Sequence, residues 1–357
     1  MRYGLNTVAM WERKVRIAMS SSKIEWTERT WNPITGCSKM SMGCKYCYAE
    51  RQAVWLSGMG KSGYDPKDPF GVKFHADRLD IPTTWRKPSM VFVCSMGDLF
   101  HGEVEMGWLD QVFRIMAQTP QHTYQVLTKR PGAMREYLRM TGRVDRMVKQ
   151  LGLKFPLPNV WLGTTVEHQR FIDRVNILLD TPAAVRFVSV EPMLGPVDLG
   201  LTGAEGLPVY KEADEVKEIS MPCGNTTIRK GVGWIKCDKG KQQWLNWVIC
   251  GGESGHNARP MHPDWPRGLR DQCAKAGVPF FFKQWGEWAP CIYGSGWDHR
   301  EGEILKHHYF KPPDNPCKVW KVGKKQAGCL LDGKEYMEYP DVYARNRSCE
   351  ANNQLFD

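Results

Sequence analysis

The sequence has no run of about 18 consecutive apolar residues, so a membrane-spanning helix is not expected. Its first residues, MRYGLNTVAMWERKVRIAM, lack the continuous apolar stretch of a signal peptide. Cysteine is too sparse for a disulfide scaffold, with 12 in 357 residues, and without a secretory signal these thiols are expected to stay reduced in a cytoplasm. Acid is in deficit: 39 Asp and Glu face 49 Lys and Arg, a net charge of +10. A basic balance favours anionic partners, nucleic acid above all, though solubility alone would also account for it.

What the chain does have is a series of short apolar runs, each closed by polar or charged residues. They are SMVFVCSMGD (89–98), HTYQVLTKRP (122–131), NVWLGTTVE (159–167), VRFVSVEPMLG (185–195), LNWVICGGESG (245–255) and VPFFFKQWGEW (278–288). Four to six residues rich in Val, Ile, Phe or Trp read as strands buried on both faces, as in a parallel sheet. Helical patterns lie between them. Leu109, Val112, Phe113 and Met116 share a face in 105–118, as do Phe171, Ile172, Val175, Leu178 and Leu179 in 168–180. A third helix is expected over 263–277, stopped by Gly277. With the stretch before Cys37 as a first strand, the alternation predicts a TIM-type full or partial (β/α) barrel of six to seven units.

Chemistry in such folds sits at the C-terminal ends of the strands. Cys37, Asp98, Lys129, Arg130, Glu167, Glu191, Glu253, Lys283 and Gln284 gather there. Lys129, Arg130, Glu191, Glu253 and Lys283 are the catalytic candidates. Loops are polar in any protein, and the competing reading is that these residues are loop residues only.

Residues 1–21 read as a tail or an overlong start, since Met19 opens the more natural beginning MSSSKIEWTERTWNP. Residues 22–288 form the barrel-like domain, with a polar insertion at 203–243 that shows no clear period. Cys223 and Cys237 could form half of a zinc ribbon, but the other half is not evident, so a four-ligand zinc site is poorly supported. Residues 289–357 read as a loop-rich extension packed on the barrel. Its Lys318, Lys321, Lys324 and Lys325 suit a phosphate-contacting patch or a solvated surface equally.

Cys37, Cys44 and Cys47 stand within eleven residues, spaced C-x6-C-x2-C, between an expected strand and the expected helix YAERQAVWL. Three thiolates can hold three irons of a cube and leave the fourth open to another ligand. The competing readings are zinc with a fourth ligand from elsewhere, Cys94 or a histidine, and three unconnected core cysteines.

The motifs IEWTERTWNPITGC, GCKYCYAER, LTKRP, VWLGTTVE, SVEPMLGPVDL, WVICGGESG, GVPFFFKQWGEW and VGKKQAGCLLDG, in this order from about residue 22, resemble the phage-associated three-Cys-motif family. That family is radical-SAM-like, occurs in phages and bacteria beside a three-Cys-motif partner protein, and is loosely similar to spore photoproduct lyase, a DNA repair enzyme. The resemblance implies a [4Fe-4S] cluster on Cys37, Cys44 and Cys47, with S-adenosyl-L-methionine (SAM) on the open iron and a 5′-deoxyadenosyl radical as its product. The first cysteine gap is six residues, where radical SAM enzymes usually have three. Tyr46, just before the third cysteine, matches the aromatic that lies beside adenine in that class. Asp98 would then accept hydrogen bonds from SAM's ammonium, Gly97 would let backbone approach the ligand closely, and Thr164, Thr165 and Glu167 would lie near its ribose or carboxylate. Lys129 and Arg130 suit a carboxylate or phosphate. The tripeptide Gly251-Gly252-Glu253 follows the sixth strand and not the second, so the SAM-binding role of a Gly-Gly-Glu loop is not transferred to it. The expected function is a radical-SAM-like enzyme acting on nucleic acid or a nucleotide in a bacterial or phage-infected cell. The alternative is a non-catalytic zinc or iron–sulfur protein that binds nucleic acid.

Overall fold

The computed structural model describes residues 22–202, 207–208, 218–221, 224–227, 236–237, 245–290, 306–311 and 313–340. The expected tail at 1–21, most of the 203–243 insertion with Cys223 and the Cys237 side chain, and 291–305, 312 and 341–357 of the C-terminal extension lie outside the described residues.

The apolar runs become the strands of one seven-stranded sheet. These are β1 (Arg29–Trp31), β2 (Met90–Val93), β3 (Thr123–Thr128), β4 (Val160–Thr165), β5 (Val185–Val190), β6 (Trp247–Gly251) and β7 (Phe280–Gln284). They hydrogen-bond in chain order and run parallel. β2, β4, β5 and β6 are buried at every residue, which is why they carry no polar alternation. The barrel expectation is met in its partial form, an α/β fold with β1 and β7 at the two ends of the strand order. The outer edge of β7 is covered by the chain itself: Phe282 N–H donates to Tyr336 O at 2.8 Å and Glu338 N–H to Phe280 O at 3.3 Å.

The longer helices among the described residues are α1 (Tyr48–Gly58), α2 (Met106–Gln118), α3 (Pro131–Arg139), α4 (Arg143–Gln150), α5 (Asp173–Leu179) and α6 (Asp264–Ala276). The stripe Leu109, Val112, Phe113 and Met116 of α2 is buried as expected. Gly277 ends α6 at φ 67°, a conformation few side chains tolerate. The helix expected over 168–180 is shorter. Gln169–Phe171 form a 3₁₀ turn and α5 starts at Asp173. Phe171 and Ile172 are only half-buried, and Arg174 takes the inward position. The cause is electrostatic: its guanidinium bonds Thr165 O and Glu167 while lying 4.3 Å over the Phe171 ring.

The chain divides into two compact units. One comprises Met1–Met40, Cys47–Leu162 and Pro182–Ala184, and holds β1, β2, β3 and the start of β4. Its core includes Trp31 and Tyr124, with ring centroids 5.7 Å apart. The other comprises Ser41–Tyr46, Gly163–Thr181 and Val185–Asp357. There Trp247 packs between Phe187 and Phe281 at 5.8 and 6.0 Å.

Part of the stretch read as loop-rich is a second sheet, antiparallel, made of β8 (Trp288–Pro290), β9 (His307–Phe310) and β10 (Cys317–Lys321) in the order β8-β10-β9. Within the insertion, Glu218–Met221, Gly224–Thr227 and Lys236–Cys237 pair antiparallel. Among the described residues no helix is long and apolar enough to cross a membrane.

Candidate functional site

The cysteine loop begins with a backbone contact that only small residues permit. Gly36 N–H donates to Met96 O at 2.9 Å, and Gly36 bridges Gly97. A Cβ on Gly97 would stand 2.8 Å from Gly36 O. Gly36 has φ 90°, and a Cβ there would meet Gly71 O at 2.1 Å. Gly97 therefore admits the backbone just before Cys37, the kind of close approach glycine allows.

Cys37 lies in a polar cluster. Pro131 opens α3 directly after β3, so Arg130 is fixed at the helix start. Its Nη1 donates to Cys37 Sγ at 3.3 Å and to Asp98 Oδ2 at 3.0 Å. Its Nη2 donates to Ser38 O at 3.1 Å and Ser38 Oγ at 3.0 Å. Burial works against the Arg130 charge, but the Cys37 sulfur and Asp98 more than restore it, so the guanidinium is firmly protonated. Asp98 is buried and accepts from Phe100 N, Thr128 Oγ1 (2.6 Å) and Lys129 N besides Arg130. Both of its oxygens thus hold chain groups. Ser38 Oγ also meets His101 Nε2 at 2.7 Å. Burial, and then Arg130, lower the pKa of His101 and keep it neutral. Cys47 caps α1 beside Ala49, Ala53 and Met96.

Ser41–Tyr46 carries a second cluster. Met42–Cys44 form a 3₁₀ turn after Ser41. Ser41 Oγ donates to Glu167 Oε1 and lies 3.7 Å from Cys44 Sγ. Glu167 is fully buried, and Arg174 Nη1 holds its other oxygen at 2.9 Å. A Cβ on Gly43 would come within 2.8 Å of Glu167 Oε1, so the turn sits directly on that carboxylate. Tyr46 has the Arg259 guanidinium 5.3 Å from its ring centre. Glu253 fixes Arg259 through bonds of 2.6 and 2.7 Å and raises its pKa.

The remaining expected site residues fall as follows. Thr164 and Thr165 are buried in β4. Glu191, after β5, pairs with Lys283 of β7 at 2.7 Å. Lys129 is half-buried. Ser38, Ser41, His101, Thr128, Arg174 and Arg259 complete the clusters and were not expected. Of these, Arg174 left a signal: it is a charge among the apolar positions of 171–179.

Cys37, Cys44 and Cys47 are half-exposed thiols. Burial pushes Cys94 up to about 12 and raises Cys250 and Cys273 as well, so those remain neutral and inert. Among the described residues no three His, Cys, Asp or Glu side chains gather around a single metal ion. The thiolates of a cube each bind a different iron and need not meet at one point.

The fold is an α/β partial barrel built on a seven-stranded parallel sheet. The chain belongs to the family described as Protein of unknown function (DUF5131), whose model matches residues 21–340. No curated protein matches it. Among solved structures it is similar to spore photoproduct lyase complexed with dinucleoside spore photoproduct, at 9% identity over 87% of this chain and 72% of that one, with a TM-score of 0.35. A cysteine-to-serine mutant of the same enzyme matches at 10% identity over 93% and 76%, with a TM-score of 0.37.

Proposed function

We propose that this chain is a radical-SAM-like iron–sulfur enzyme acting on nucleic acid or a nucleotide, in modification or repair. On this reading it stands with the phage-associated three-Cys-motif proteins and works beside their partner protein in the cytoplasm of a bacterial or phage-infected cell. The observation that carries the reading is the loop itself: three half-exposed thiols within eleven residues, the first under a protonated guanidinium at 3.3 Å. A cation on sulfur favours the thiolate, the form that binds metal.

Cys37, Cys44 and Cys47 would hold three irons of a [4Fe-4S] cluster and leave the fourth to SAM. Together the two groups supply one-electron reduction and hydrogen-atom abstraction from unactivated carbon. The chain's own residues do the rest. Arg130 donates to the Cys37 sulfur and ties it to Asp98 and Ser38. Glu167, neutralised by Arg174, anchors the turn that carries Cys44 through Ser41. Tyr46 would offer its ring to adenine, and Arg259 with Glu253 steadies that ring. Lys283 and Glu191 form an ion pair, suited to holding or passing a proton beside a substrate. The net charge of +10 supports a polyanionic substrate.

Anaerobic reconstitution with iron and sulfide tests the reading. The protein should turn brown, bind about four irons per chain and release 5′-deoxyadenosine from SAM when reduced. Cys44→Ala should abolish all three. A colourless protein with a single zinc after the same treatment would replace this reading with the non-catalytic metalloprotein.

A further inference from the structure

The second sheet has two unlike faces. Cross-strand pairs place His308 and Phe310 with Val319 and Cys317 on one side, and His307 and Tyr309 with Trp320 and Lys318 on the other. The first face is the anchor. Val319 is fully buried, and Phe310 packs 4.9 Å from His262 and 5.5 Å from Trp265 at the start of α6. His262 Nε2 bonds Asn315 O at 2.7 Å, and Trp265 Nε1 donates to Asp314 Oδ1 at 3.2 Å.

The second face is open at its outer strand. Tyr309 is 50% exposed, and His307 and Lys318 are exposed beside it. His307 lies 5.1 Å from the Trp320 ring, and Lys318 Nζ sits 5.1 Å over the same ring. Rings and cations therefore lie side by side on this face. The flanking chain adds charge of one sign. Residues 306–325 contain six lysines and a single acid, Asp314, which is engaged by Trp265. Lys306 and Lys311 bracket β9, and Lys324 and Lys325 follow β10; all four are exposed.

We infer that the Tyr309–Trp320 face of this sheet is a docking platform for single-stranded nucleic acid. Phosphates would be met by the lysines and bases by the rings, since every base has a π-face for an aromatic to stack on. A duplex hides those faces inside its own stack, so the rings select unpaired strands. An acidic peptide would use the lysines but leave the rings without a role. The inference rests on the nucleic-acid part of the proposed function and is independent of its iron–sulfur part.

Fluorescence anisotropy with short labelled single-stranded DNA, single-stranded RNA and the matching duplexes tests it, using the full chain. Wild type should bind single strands more tightly than duplex, with affinity falling log-linearly in salt as counterions are released. Tyr309→Ala should weaken single-strand binding roughly five- to a hundredfold, the range found on removing one stacked ring. Lys318→Glu should weaken it and flatten the salt slope. Circular dichroism checks that both exposed-site variants fold. Iron content is measured separately on each variant, so a failed cluster and a failed platform give different results. Wild-type affinity in both Tyr309→Ala and Lys318→Glu would overturn the platform while leaving nucleic acid as a partner. No binding by wild type, a preference for duplex, or displacement by polyglutamate but not by unlabelled single strand would overturn it altogether.

Discussion

Arg130 uses both terminal nitrogens on the cysteine loop, with Nη1 on Cys37 Sγ and Asp98 and Nη2 on Ser38. Hydrogen bonds and positive charge at a ligating sulfur stabilise the reduced cluster and raise its potential. Arg130→Met should therefore shift the reconstituted cluster to a more negative potential, read by a redox titration followed by electron paramagnetic resonance, with iron content near wild type. An unchanged potential would remove Arg130 from the cluster's surroundings. Glu167 poses the opposite problem, a carboxylate with no exposure whose charge Arg174 balances. Removing one partner of a buried pair costs about 3–5 kcal/mol. Arg174→Met should show that loss in denaturant unfolding, and adding Glu167→Gln should recover part of it, because the two residues are coupled. Only some of this was legible beforehand. Asp98, Arg130 and Glu167 stand at strand ends and were identifiable as polar punctuation. That Asp98 and Arg130 bind each other, and that Glu167 faces Ser41, depends on contacts 32 and 126 positions apart, which no local pattern encodes.

Elements were more readable than their junctions. Strands buried on both faces leave continuous apolar runs, and β2 to β7 each fall inside the expected run. The second sheet was missed because its strands are short and mix aromatic with basic residues, which resembles a loop in composition. The contact of Gly36 with Gly97 was equally hidden, since a glycine states that something comes close and not what. Gly97→Ala sets a methyl against backbone that cannot swing aside. It should cost about 1–3 kcal/mol, as overpacking does, and reduce cluster loading by displacing the strand that leads into Cys37. Normal loading with unchanged stability would show the contact to be slack. The short ladder of Ile34–Thr35 with Lys73–Phe74 adds a pH dependence. His75 is buried behind it, 2.8 Å from Thr35 Oγ1, and burial lowers its pKa from 6.5 to about 4. The unfolded chain takes up the proton first, so stability is full above pH 6.5 and falls as the pH drops towards 4, by at most about 3 kcal/mol. Melting temperatures across that window should fall in wild type and fall less in His75→Gln.

For the whole molecule, the question is whether the cysteine loop serves the fold or only uses it. Small domains built around metal unfold without it, because binding energy replaces a missing core. Here the core is supplied elsewhere. Trp31, Tyr124, Phe187, Trp247, Phe281 and Phe282 are among the largest fully buried side chains, and none belongs to the 37–47 loop. Within that loop no side chain is buried; Cys37, Cys44 and Cys47 are half-exposed. Alanine at all three positions thus removes little apolar contact and leaves the strands with their own packing. The triple variant should keep its far-ultraviolet circular dichroism and a single cooperative melt, while losing all bound iron and the Arg130–sulfur contact. Its melting temperature should lie within a few degrees of apoprotein, since surface changes of this kind stay near half a kcal/mol each. Global unfolding of that variant would mean the loop is a structural clasp, and the open-iron chemistry proposed for it would lose its basis.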